Sequence, residues 1–302
     1  MMAIIEGRGI TKRYDGLLAV DDVDFSIENM ECFGFLGPNG AGKTTIMKMI
    51  YCRIPLTAGE ISVDGLSVRS HPRKIKSFIG VATQEDNLDN DLTVYENLWV
   101  YSRYFDIPGD ASRKRIDGLL TFFDLGGKRD TQVDDLSGGM KRKLSVARSL
   151  INDPKILIMD EPTTGLDPTA RRQIWDTIIK LRSEGKTVIL TTHYMDEAEE
   201  LCDRIALVFG GKILEYGSPD EIIERVIGAY VCELYAPSDK AMDDVRNAIQ
   251  GNIRQVGNRL FVYGNDADQL RSRCEAATGV KHHVRSATLE DVFLKLTGRE
   301  LK

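Results

Sequence analysis

Eight consecutive residues, Gly37-Pro38-Asn39-Gly40-Ala41-Gly42-Lys43-Thr44, have the spacing G-x-x-x-x-G-K-T. Residues of these types at this spacing bind phosphate. Gly37, Gly40 and Gly42 tolerate positive φ and close approach, so successive backbone N–H groups can turn inward on an anion. A helix starting behind them adds its positive end. Lys43 can reach β and γ phosphates, and the Thr44 hydroxyl can ligate Mg²⁺. A glycine-rich turn with a surface lysine is the plain alternative. Two further places carry chemistry. Asp160 and Glu161 follow the apolar run Lys155–Met159, and Thr191-Thr192-His193 follows the apolar run from Lys186 to Leu190. Polar groups at the carboxyl ends of strands beside a phosphate loop are placed for metal and water chemistry. Ser137, before Gly138 and Gly139, is either the cap of an ordinary helix or a second anion site. Tyr14, beside an Asp15-Gly16 turn, is either a strand-surface tyrosine or a platform for a base.

The flanking sequence predicts the elements that hold these groups. Cys32–Leu36 is apolar and strand-like, and Thr45–Ile50 is a good helix former, so the loop lies between a strand and a helix. Before it, Val23, Phe25 and Ile27 alternate with polar residues, which predicts short, half-exposed strands. Asp64-Gly65 marks a hairpin. From Leu88 to about Asp153 the pattern turns helical. Thr93 and Glu96 make a capping box there, and a helix follows Ser137 with Leu144, Ala147 and Leu150 on one face. This stretch reads as a helical insertion into a sheet domain. Asp167-Pro168 and Ser218-Pro219 open later helices. Beyond Gly228 the order becomes β-α-β-β-α-β, with a helix over Lys240–Ile249, as in a small ferredoxin-like unit. The expected division is therefore 1–228 and 229–302. Adjacent His282 and His283 on a strand point to opposite faces, which disfavours a metal site.

The whole chain narrows the class. A net charge of −6 over 302 residues argues against a dedicated nucleic-acid binder. The beginning lacks a basic segment followed by a long apolar one, so no signal peptide is expected. No apolar run is long enough for a bilayer span. The five cysteines are scattered without C-x-x-C spacing, as expected of reduced, mostly buried thiols in a cytoplasmic protein.

Taken together, these segments resemble the nucleotide-binding subunit of ATP-binding-cassette (ABC) transporters over about residues 3 to 225. Tyr14 matches the aromatic that stacks on adenine, and Gly37 to Thr45 the phosphate loop. Gln84 matches the glutamine that contacts Mg²⁺ and the attacking water. Leu136-Ser137-Gly138-Gly139-Met140 matches the family signature, and Ile156–Asp160 the metal-side strand. Glu161 matches the catalytic base, Gly165-Leu166-Asp167 the inter-subunit loop, and His193 the histidine that senses the γ-phosphate. The signature departs from the commonest form at Met140, where glutamine is usual; the phosphate-contacting serine and glycines are kept. The segments 136–143, 161–168 and 288–298 look like those of ATPases serving bacterial drug-resistance and nodulation-factor exporters.

The resemblance implies an α/β P-loop ATPase with an N-terminal antiparallel β-subdomain and a helical insertion, and the small C-terminal α+β domain read from the element order is expected to be regulatory or dimer-stabilising. It implies ATP and Mg²⁺, with Lys43, Gln84, Glu161 and His193 catalytic and Thr44, Gln84 and Asp160 on the metal. It also implies a head-to-tail pair, with ATP between the phosphate loop of one copy and Ser137-Gly138-Gly139 of the other, acting on a separate membrane permease from the cytoplasmic face. A kinase or GTPase is disfavoured by Glu161 directly after Asp160 and by the lack of an Asn-Lys-x-Asp reader. A cassette ATPase working on nucleic acid or ribosomes usually carries two cassettes or a long coiled coil, and neither is seen. Export in preference to import follows from the branch alone.

Overall fold

The computed structural model describes residues 3–235, 253–278 and 281–298, and the chain divides into two compact units, 1–214 and 215–302. In the first unit, β1 (Ala3–Tyr14) and β2 (Leu17–Glu28) pair antiparallel about the Asp15-Gly16 turn, Tyr14 facing Leu17. Val23, Phe25 and Ile27 are buried while Asp22 and Asp24 are exposed, so the period-two pattern holds. The strands are twelve residues each rather than short. Register shifts along the ladder let a ribbon of this length twist without losing its pairing.

β3 (Cys32–Leu36) is buried throughout and leads into α1 (Lys43–Ile50). β4 (Ala58–Val63) returns to β1, and β5 (Leu66–Ser67) turns back at Asp64-Gly65, completing a four-stranded sheet in the order β2-β1-β4-β5. A short helix not expected from the pattern, α2 (Pro72–Ser77), precedes β6 (Ile79–Ala82). The expected helical stretch contains α3 (Val94–Arg103), α4 (Gly109–Phe122) and α5 (Gly138–Ser149). α3 has the reciprocal Thr93/Glu96 capping box, and Ser137 caps α5.

β7 (Ile156–Asp160), β8 (Thr187–Thr192), β9 (Arg204–Phe209) and β10 (Lys212–Gly217) complete a second sheet, ordered β10-β9-β3-β8-β7-β6, with α6 (Pro168–Ser183) between β7 and β8 and α7 (Met195–Leu201) between β8 and β9. β6, β7, β8, β3 and β9 run parallel. β3, β7 and β8 have no exposed residue. This is why these strands are continuous apolar runs without alternation.

The first helix of the second unit is α8 (Pro219–Val226), which has its own Ser218/Glu221 capping box. β11 (Tyr230–Tyr235), β12 (Ile253–Val256), β13 (Arg259–Gly264), α9 (Ala267–Thr278), β14 (Lys281–Ser286) and α10 (Leu289–Thr297) follow. The antiparallel sheet is ordered β12-β13-β11-β14, the order of a ferredoxin-like unit. The expected helix over Lys240–Ile249 lies outside the described residues. Cys232, Leu234, Leu260, Val262, Leu270 and Cys274 form one core here. Arg285 on β14 binds both Asp291 oxygens, at 2.6 and 2.7 Å, and Glu233 at 2.7 Å. These charged partners hold the buried Asp291 carboxylate at the start of α10 and raise the Arg285 pKa.

Candidate functional site

The register of the parallel sheet decides which residues meet. Leu36 lies opposite Thr192, Asp160 opposite Thr191, and Ala82 opposite Met159. These strands therefore end along one edge, and Gly37, Gln84, Glu161 and His193 leave the sheet side by side. Sites of open α/β sheets form at this carboxyl edge.

Gly37, Gly40 and Gly42 adopt φ of 156°, 79° and 110°. At Gly37 a Cβ would sit 2.1 Å from the Val208 carbonyl oxygen, so the loop passes where only glycine fits. Gly42 opens α1 without a side-chain cap, which leaves the first N–H groups of the helix for an anion. The Lys43 ammonium is 4% exposed and donates to Gly37 O at 2.7 Å and Pro38 O at 3.1 Å. It also lies 3.6 Å from Glu161 Oε1. Burial pushes the Lys43 pKa down, and the Glu161 and Asp160 carboxylates oppose that. An arriving phosphate oxygen competes with two neutral carbonyls for this cation, an exchange that favours the anion.

Thr44 donates to Asp160 Oδ1 at 3.0 Å, and the Thr191 hydroxyl donates to the same oxygen. Glu161 is 7% exposed and has φ of 45°, a left-handed backbone unusual for glutamate. Its N–H is held by Thr191, at 3.2 Å from the carbonyl and 2.9 Å from the hydroxyl. This fold of the backbone turns the carboxylate away from the strand. There Oε2 accepts from Thr164 Oγ1 at 3.0 Å and Gln84 Nε2 at 3.4 Å. His193 Nδ1 lies 3.4 Å from the same oxygen, yet it is buried and makes no hydrogen bond.

The Thr44 hydroxyl, the Asp160 carboxylate and the Gln84 amide are hard oxygen donors and fit Mg²⁺. Among the described residues no group of three His, Cys, Asp or Glu could hold a metal. A cation that takes most of its shell from phosphate and water does not need one.

The expected residues divide between two clefts. Tyr14, the loop residues Asn39 to Thr45, Gln84 and Glu161 line a cleft of about 630 Å³. Tyr14 is 40% exposed at its rim, with the Lys12 ammonium 4.8 Å from its ring. Ser137, Gly138 and Gly139 line a different cleft, of about 570 Å³, with Gly165, Leu166 and Asp167. The chain brings its phosphate loop, carboxylates, glutamine and histidine together, and it keeps its signature segment apart from them. Thr164 was not anticipated, and Thr191 was named only as part of the polar strand end that carries His193. The signal for Thr191 was its place at the end of an apolar strand beside His193, where a hydroxyl faces the next strand's carboxylate.

Known proteins resemble this chain in sequence and in fold. Residues 20–164 match the family model described as ABC transporter, and residues 239–298 match the C-terminal domain of the nodulation factor export protein NodI. A Nod factor export ATP-binding protein I of Burkholderia orbicola is 46% identical over 301 residues, covering 100% of this chain and 99% of the relative. Proteins of the same description from Neorhizobium galegae and Ralstonia nicotianae are 46% and 45% identical, each over 99% of this chain and over 86% and 95% of their own lengths. Among solved structures, cbiO1 of Clostridium perfringens, part of the ABC transporter complex cbiONQ, is 28% identical with a TM-score of 0.68, covering 74% of this chain and 91% of its own. A dimeric ATP-binding cassette in a post-hydrolysis state, bound to ADP and Pi, has a TM-score of 0.66 at 28% identity, over 71% of this chain and 98% of its own.

Proposed function

The chain belongs to the ABC transporter family, as an ATP-binding ATPase subunit of an exporter, and from that premise we infer that two copies close head to tail on ATP to drive a separate membrane permease. The observation that carries this reading is the division of the expected residues between two clefts. One chain holds two half-sites for one anion, and a second copy can supply to each what the other lacks. The relatives are described as Nod factor export ATP-binding proteins, which supports a cargo of the Nod factor kind within the drug, lipid or glycolipid range expected from the branch. No helix among the described residues is long and apolar enough to cross a membrane, and the membrane permease is supported by the relatives' description as export ATP-binding proteins. The cytoplasmic face of the membrane, where ATP is found, is the place for such a subunit.

Within each site, Tyr14 stacks on adenine and the N–H groups of Asn39 to Thr45 cradle the phosphates. Lys43 leaves the loop carbonyls for the β and γ oxygens. Thr44, Asp160 and Gln84 would hold Mg²⁺, which would supply neutralisation of phosphate charge. Glu161 takes the proton of a water molecule as its oxygen attacks the γ-phosphorus. The bond to the β–γ bridging oxygen breaks, and its electron pair leaves with ADP. His193, whose Nδ1 lies 3.4 Å from Glu161 Oε2, binds the γ-phosphate until it departs. Ser137, Gly138 and Gly139 of the second copy close over the same phosphate.

Glu161→Gln tests the reading. Turnover should fall at least about a hundredfold, while ATP affinity stays near the parent value, because the amide keeps the shape and loses the base. Near-normal hydrolysis by that variant would exclude Glu161 as the base.

A further inference from the structure

Arg142 sits on α5, the helix that Ser137 caps, and only 4% of it is exposed. A guanidinium stays charged at any physiological pH, so burying it is costly unless its donors are satisfied. Here they are satisfied mainly by backbone. Nε donates to Pro162 O at 2.8 Å, and Nη2 to Asp160 O at 3.1 Å and Glu161 O at 3.3 Å. Nη1 donates to Thr83 O at 2.6 Å, with the Asp86 carboxylate 3.5 Å away. One side chain thus grips the carbonyls of three successive residues at the turn where Glu161 takes its left-handed φ of 45°. The same group grips the residue before Gln84, whose amide faces the Glu161 carboxylate at 3.4 Å.

The flat guanidinium suits this task because its donors fan out in one plane toward separate acceptors. A point-like ammonium could satisfy one or two of them. We propose that Arg142 is a positioning residue for ATP hydrolysis: its guanidinium holds the 160–162 turn in the strained form that aims the Glu161 carboxylate and fixes the Gln84 loop against it. The strain and the buried charge support each other. The left-handed turn directs its carbonyls at one group, and that group is the cation whose burial they compensate. Arg142 touches neither nucleotide nor water in this assignment, so its effect is on the rate of the chemical step and not on ATP affinity.

This inference rests on the reading of Glu161 as the base, and the experiment separates the two. Full-length Arg142→Ala, Arg142→Lys and Glu161→Gln are compared with the parent for kcat, KM for ATP with Mg²⁺, affinity for a fluorescent ATP analogue, and urea unfolding midpoint. Arg142→Ala should lose about ten- to hundredfold in kcat with KM nearly unchanged, the penalty of a misaimed group. Guanidinium chloride at millimolar, non-denaturing concentration should restore part of that loss in Arg142→Ala and none in Glu161→Gln. Arg142→Lys should fall between parent and Arg142→Ala, and it carries the test if the alanine variant does not fold. An Arg142→Ala kcat within about twofold of parent, while Glu161→Gln is inactive, would overturn the inference and leave the base assignment standing. Loss of kcat, affinity and unfolding midpoint together, without restoration by guanidinium, would reduce Arg142 to a structural residue and also overturn it. Near-parent hydrolysis by Glu161→Gln would instead remove the premise.

Discussion

At the scale of single residues, the site is built from side chains whose surroundings restrict them to one task. Glu197 on α7 shows how far this extends behind the reacting groups. It is fully buried, and Oε1 accepts from Thr163 Oγ1 at 2.7 Å and Trp175 Nε1 at 2.9 Å. Burial pushes its carboxyl pKa above the ordinary 4.5, with these hydrogen bonds opposing. A folded-state pKa raised in this way contributes stability that is fully present below the unfolded value and is lost as pH rises through the folded one. Glu197→Gln keeps the acceptor and removes the titration. The variant should therefore gain on the parent as pH rises from 4.5 toward neutrality, by at most about 1.4 kcal/mol per pH unit. Urea midpoints across that range check it, and a constant difference would refute the raised pKa. Neither Glu197 nor Arg142 stood out in the sequence. Charged residues on amphipathic helices are normally solvated, and only the tertiary fold shows that Arg142 shares its buried face with Ser145, Val146 and Ser149.

At the scale of elements, legibility followed the range of the interactions. The capping boxes at Thr93 and Ser218 are written in neighbouring residues, and both form. The buried strands β3, β7 and β8 were legible as apolar runs bounded by polar residues, and with them the residues that leave their ends. α2 was not, because its six residues are too few to show a helical period. The lengths of β1 and β2 were not either. Their bulges break the alternation that marks a strand, so the pattern breaks off where the ladder merely shifts. The meeting of the strand ends makes Gly37 sensitive. Gly37→Ala should abolish detectable ATP binding by the full chain, since its Cβ would lie 2.1 Å from Val208 O and the loop must leave β9 to admit it. Isothermal titration with Mg²⁺-ATP decides this, and parent-like affinity would show that the loop can yield without cost.

At the scale of the whole molecule, the phosphate loop, carboxylates and signature were each legible as motifs. Their division between two clefts was legible only through the family resemblance and not from the motifs themselves, because it depends on where α5 starts relative to the sheet edge. That division makes Ser137→Arg informative. In a Glu161→Gln background the added side chain should prevent ATP-dependent pairing in sedimentation while single-chain nucleotide affinity changes less than about threefold. A persistent ATP-dependent pair would rule out the sandwich. The two clefts also carry a consequence for symmetry. A contact between unlike surfaces of identical subunits normally propagates, adding copies into a ring or a filament. It terminates at two only when the operation relating the copies is a two-fold axis, so that the same unlike contact is made twice. A pair built this way has no spare valence, binds its nucleotides in equal numbers at equivalent places, and passes a defect in one copy's base to one site and a defect in its signature to the other. A heterodimer of Glu161→Gln with Ser137→Arg would therefore concentrate both lesions in one site and leave the other whole only if they fall on opposite subunits, as here they must.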